Sequence, residues 1–188
     1  EIMPWLEFRR VLFRSEGYNV NYQPGFKFRG LNNPNIFFDE NHERLTQNYR
    51  NSFIRLALYY AAQREDTKVI ETLDMMESKI PRSVIEMDHR LLFDVGNVYR
   101  QAGAIEKYLE IAKDVEVYAL KALELNPTDV SSFYNPYRLL LDIYEFTKQY
   151  DKSIDLLNKV KTFSNDPSID DMINRLKMQK AEEDSIKK

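Results

Sequence analysis

One pattern occurs three times along this chain and narrows what it can fold into. In its first occurrence Phe53, Leu56, Ala57 and Tyr60 precede the polar run Gln63-Arg64-Glu65-Asp66, then come Val69, Leu73 and Met76, and Pro81 ends the unit. Apolar residues three and four apart share one helical face, since 3.6 residues make a turn. Two such helices joined by about four polar residues read as an antiparallel hairpin. The second occurrence carries Leu92, Val95, Gly96 and Tyr99, then Tyr108, Ala112 and Val115. The third carries Tyr137, Leu140, Leu141 and Tyr144, then Ser153, Leu157 and Val160. Neither helix of a hairpin buries its stripe alone, so the hairpins need one another. The fold class that follows is all-α.

Punctuation sets the expected elements. Asp39 to Asn41 offer caps for a first helix that runs to about Gln63, with Leu45, Tyr49, Phe53, Leu56 and Tyr60 as its stripe. Further helices are expected over about 66–79, 88–101 and 104–125, the last ended by Asn126-Pro127. A fifth is expected from near Asp129 to Lys148 with Pro136 in its first turns, and a sixth from Asp151 to Phe163. The seventh, from Ser168 to about Lys180, holds Ile169, Met172, Ile173 and Leu176 on one side and polar residues on the other. Such a helix suits the end of a stack. Residues 181–188 read as a frayed tail.

The tyrosines at 60, 99 and 144 stand 39 and 45 residues apart. The repeat resembles the tetratricopeptide repeat, a helix-turn-helix unit of about 34 residues. Phe53, Leu92 and Tyr137 stand where that family has Trp, and its Gly survives only as Gly96. The resemblance implies a right-handed solenoid of three hairpins over residues 39–180, closed by a C-terminal capping helix.

The first 38 residues differ in kind. Residues 16–38 hold three of the five glycines and two of the seven prolines, beside Tyr18, Tyr22, Phe26, Phe28, Phe37 and Phe38. Gly, Pro and Asn punctuate against helix. The aromatics suit an extended joining segment laid on the first helices or on a missing domain. Residues 1–15 read as a non-native leader, because LEFRRVLFRS resembles an in-frame translation of a common sequencing-library adapter. On that reading the natural sequence starts near Glu16 and the chain is a fragment. The alternative is a short basic amphipathic helix packed on a partner.

No catalytic constellation is visible. Without cysteine there is no thiolate chemistry, disulfide or Cys-based zinc site. His42 and His89 sit at helix starts, far from a second His, so no helix-borne zinc pair forms. Acidic pairs such as Glu65-Asp66 and Asp170-Asp171 fall where helices begin, and suit capping. Neither cofactor nor metal is expected. A net charge of −3 on 188 residues gives no footprint for nucleic acid or an anionic membrane, and no apolar run reaches the roughly 20 residues that span a bilayer. What remains is a groove along the first helices of the hairpins. Its candidate lining is Asn97, Arg100, Arg138, Asp142 and Glu145. Asn and Arg there suit an extended peptide, held through backbone and carboxylate contacts, and the alternative is an ordinary solvated face.

Three longer runs carry a more specific likeness: FKFRGLNNPNIFFDENHERLTQNYRNSFIRLALYY, IPRSVIEMDHRLLFDVGNVYR and NPTDVSSFYNPYRLLLDIYE. Together they resemble the C-terminal soluble region of a bacterial family of multi-pass membrane proteins similar to protein O-mannosyltransferases. The resemblance implies a parent that moves a sugar from a lipid-linked donor to a protein hydroxyl outside the cytoplasm, with its catalytic acid in a membrane core. No residue of this chain then inherits a catalytic role. The expected partner is the acceptor protein or the parent's own membrane domain, at the extracytoplasmic face. The alternative is a free-standing cytoplasmic scaffold that binds a partner peptide.

Overall fold

The structure, a computed structural model, describes residues 27–130 and 133–186. The leader, residues 16–26 of the joining segment and the last two residues of the tail lie outside that range. The described residues form seven helices and no strand: α1 (Glu40–Ala62), α2 (Asp66–Lys79), α3 (His89–Gln101), α4 (Ile105–Leu125), α5 (Pro136–Phe146), α6 (Tyr150–Lys161) and α7 (Ser168–Ile186). The all-α expectation holds. Each helix packs on its neighbours in sequence, and α1 also touches α3.

The three turns inside the hairpins share one geometry. Four residues after Tyr60, Tyr99 and Tyr144 stand Arg64, Gly103 and Lys148, all with positive φ, of 59°, 79° and 57°. The next amide returns to the tyrosine carbonyl each time: Glu65 to Tyr60 at 3.0 Å, Ala104 to Tyr99 at 2.9 Å, Gln149 to Tyr144 at 2.8 Å. A left-handed residue with such a return bond satisfies carbonyls that a helix end leaves open. The second helix starts two residues after that position each time, at Asp66, Ile105 and Tyr150.

The aligned columns are buried together. Phe53, Leu92 and Tyr137 are core, as are Tyr60, Tyr99 and Tyr144, Val69, Tyr108 and Ser153, and Leu73, Ala112 and Leu157. Two columns are uneven, for Leu56 and Val160 are only half-buried beside them. At Gly96 an added Cβ would lie 3.1 Å from Ile111 Cγ2, so the missing side chain lets α3 and α4 close up.

A polar set repeats with the turns. Eight residues after each tyrosine stands Lys68, Lys107 or Lys152, its ammonium 5.3, 5.7 or 5.0 Å from the tyrosine ring centre. In the later two units the preceding unit supplies a carboxylate to both groups. Asp74 accepts from the Tyr99 hydroxyl (2.9 Å) and from Lys107 (2.5 Å). Glu116 does the same for Tyr144 (2.9 Å) and Lys152 (3.1 Å). In the first unit Lys68 pairs with Glu65 of its own turn.

Several expectations need correction. Leu45 is 58% exposed, and the buried line of α1 runs instead through Thr46, Arg50, Phe53, Ile54, Ala57 and Tyr60. Arg50 is fully buried and donates to the carbonyls of Glu86 (2.9 Å), Ile80 (3.2 Å) and Ile85 (2.5 Å), tying the α2–α3 connection to α1. Burial lowers its pKa from 12.5 to about 10. The fifth helix starts at Pro136 rather than near Asp129: Asn135 caps it by accepting the Arg138 amide, and Pro136 fills the first position, where no N–H is needed. The tail is helical through Ile186, with Glu183 held by Lys148 at 3.2 Å. In the joining segment Phe28 packs on Tyr49 and Phe53, with ring centres 5.8 and 5.7 Å apart, but Phe37 is 89% exposed.

Candidate functional site

An open pocket of about 730 Å³ lies between α5, α6 and α7, with the C-terminal end of α3 at one side. Its floor is apolar, made by Leu141 from α5, Leu157 and Val160 from α6, and Ile169 and Met172 from α7. Its rim is polar. Of the five residues expected to line a groove, the structure brings Arg100, Arg138, Asp142 and Glu145 to this rim. Asn97 does not line it, and its side-chain oxygen is buried without a hydrogen-bond partner among the described residues.

The charges at the rim are not equivalent. Arg100 is three-quarters buried, with Nη1 3.1 Å from Asp142 Oδ2. Its guanidinium lies 5.1 Å from each ring centre of Tyr108 and Phe146, which themselves meet edge to face at 4.7 Å. The Tyr108 hydroxyl beneath is pushed above its usual range, chiefly by burial and then by the Asp142 charge. Arg100 therefore joins α3 to α4 and α5 and is not a free groove cation, although it lines the rim. Glu145 pairs with Arg175 of α7 at 3.5 Å. Asp166 accepts the Ser168 amide at 2.9 Å, and that bond holds its carboxyl below the usual range.

Arg138 is the exception. It is exposed, its guanidinium lies 3.8 Å from the centre of the Phe133 ring, and no carboxylate among the described residues pairs with it. The ring covers one face of the guanidinium and leaves its edge donors free, the side that meets a carboxylate in a two-point contact. Its place in the first turn of α5 adds the positive end of the helix dipole.

Sequence reading missed the floor and the stacking partners. Leu141, Leu157 and Val160 look like hairpin core by period alone, and they are partly that. Phe146 and Met172 carry no sequence signal for a pocket, since only the meeting of α5 with α7 makes one. No cluster of three or more His, Asp or Glu suited to a metal occurs among the described residues, and none of the described helices is long and apolar enough to cross a membrane. The chain matches no known protein family and no characterised protein.

Proposed function

We propose that this chain is a non-catalytic, tetratricopeptide-like interaction domain, with three hairpins stacked as a right-handed solenoid and α7 as its cap. Its groove takes an extended segment of a partner protein. The observation that carries the reading is Arg138, a cation that no carboxylate among the described residues pairs with, stacked on Phe133 at the rim of an apolar-floored pocket. A peptide that offers a carboxylate beside an apolar side chain satisfies both parts at once. The resemblance to the soluble region of mannosyltransferase-like membrane proteins supports a more specific role. The segment would then belong to an acceptor protein outside the cytoplasm, held near a membrane-embedded sugar transferase.

The test is binding of peptides from extracytoplasmic proteins to the chain, compared between wild type and Arg138→Glu. Charge reversal removes a charge-assisted hydrogen bond and should weaken binding of acidic-apolar peptides about 10- to 100-fold. Melting should hold, because exposed substitutions shift stability by only about 0.5 kcal/mol. Equal binding by both proteins, or by neither, overturns the proposal.

A further inference from the structure

The last helix is attached differently from the rest. Ile169, Ile173 and Leu176 form a small buried cluster with Leu157, separate from the main core that runs from Phe53 to Leu156. Four ion pairs tie α7 to the rest of the chain, each solvent-exposed on at least one side: Asp170 to Lys161 (2.5 Å), Arg175 to Glu145 (3.5 Å), Lys180 to Asp151 (2.5 Å) and Glu183 to Lys148 (3.2 Å). Their order places α7 antiparallel to α6, with charges of both signs on α7, spread from Asp170 to Glu183, each matched by an opposite charge on the surface it covers. An apolar line at positions 169, 173 and 176 with flanking charges in register is how an amphipathic helix is recognised in a groove.

We infer that the surface of α5 and α6 under α7 is an exchangeable helix-docking site. Its resident occupant is α7, and a helix of the same pattern, as in α7 of a second copy, competes for it. Docking is favoured by three apolar side chains and four pairs that salt screens, because the screening length falls from about 10 Å at 0.1 M to about 3 Å at 1 M. Lifting α7 also removes Ser168, Ile169 and Met172 from the pocket. Exchange at this surface does not depend on the peptide-binding reading of that pocket.

The experiment uses the full chain with Leu176→Ala and a labelled peptide of residues 165–186. Leu176 is fully buried, so its truncation should shift the docking equilibrium of the resident helix about 30-fold or more. The variant should bind the peptide at least tenfold tighter than wild type does, and more weakly at 1 M salt. In wild type, amide exchange should be faster in α7 than in α3 and α4, and faster again at 1 M salt. Should the variant fail to fold, the wild-type exchange decides. No peptide binding by a folded variant, or α7 amides protected like those of α3 at both salt concentrations, overturns the inference.

Discussion

Replacing Arg50 with Met tests whether a buried charge holds the first two hairpins in place. Met keeps an apolar stem of similar reach and removes the donors to the carbonyls of Ile80, Ile85 and Glu86. Two effects oppose each other. Burial works against the charge, and a pKa lowered from 12.5 to about 10 corresponds to ~3 kcal/mol, which Met would recover. Against that, hydrogen bonds from a charged donor contribute about 1.5–3 kcal/mol each, and a buried carbonyl left open costs about 1–3 kcal/mol. Ile80 and Ile85 are fully buried, so water does not readily replace the guanidinium there. With three carbonyls involved, the loss should exceed the recovery, for a net destabilisation of about 2–5 kcal/mol. Arg50→Lys should also be costly, because one ammonium cannot span carbonyls that the planar fork reaches together. Urea denaturation followed by circular dichroism measures both. If Arg50→Met unfolds at the wild-type midpoint with an unchanged slope, the guanidinium contributes nothing net and the argument is wrong.

Three further outcomes are expected. Leu140→Ala, at a fully buried site, should cost about 2–5 kcal/mol, and Leu56→Ala, half-buried in the same column, distinctly less; equal losses in thermal melts would mean that the difference in burial between the two sites does not set the cost. Arg64→Gly should raise stability by about 0.5–1 kcal/mol by relieving a positive φ, and Gly103→Ala should lower it by ~1 kcal/mol from φ alone, since no atom lies within 4 Å of the added Cβ. Tyr99 and Tyr144 are held well above the ordinary 10.0, by burial first and then by the hydrogen bonds their hydroxyls donate to Asp74 and Glu116. Since the folded pKa is the higher, this stabilisation is complete below pH 10 and is lost as pH rises beyond it; Tyr99→Phe with Tyr144→Phe should flatten that alkaline decline, read as denaturation midpoints against pH.

Much of this architecture can be read from residue spacing, and the failures have physical causes. The second helix occupies the expected 66–79, and the tyrosine columns are buried as a period of 3.6 requires. Arg50 escapes a sequence reading because a charged residue looks like surface until three carbonyls converge on it, and those come from residues 30 to 36 positions downstream. Leu45 misleads for the mirror reason: its spacing suits the stripe, but α2 packs beside a neighbouring line of α1. Pro136 signals a helix start as plainly as any residue can, yet the acidic cap at Asp129 competes for that role. At the candidate site, four of five rim residues are legible as polar positions on first helices. Their unequal status is not, because it depends on which carboxylate the packing of α3, α5 and α7 brings to which arginine.

The mainly sequential packing has a kinetic consequence. When each helix touches chiefly the one before and the one after, most native contacts close short loops, and little chain entropy is lost before they form. Such a chain should fold fast and need no single nucleus, since any hairpin can form first and template the next. Its two ends then behave unlike its middle. The Arg50 bonds and the shared Asp74 and Glu116 bridges join successive units, so loosening one of these units withdraws partners from the next. The helix over residues 168–186 stands outside that chain of dependence, with its own apolar cluster and exposed ion pairs. Unfolding should therefore begin there and run toward α1, one helix at a time.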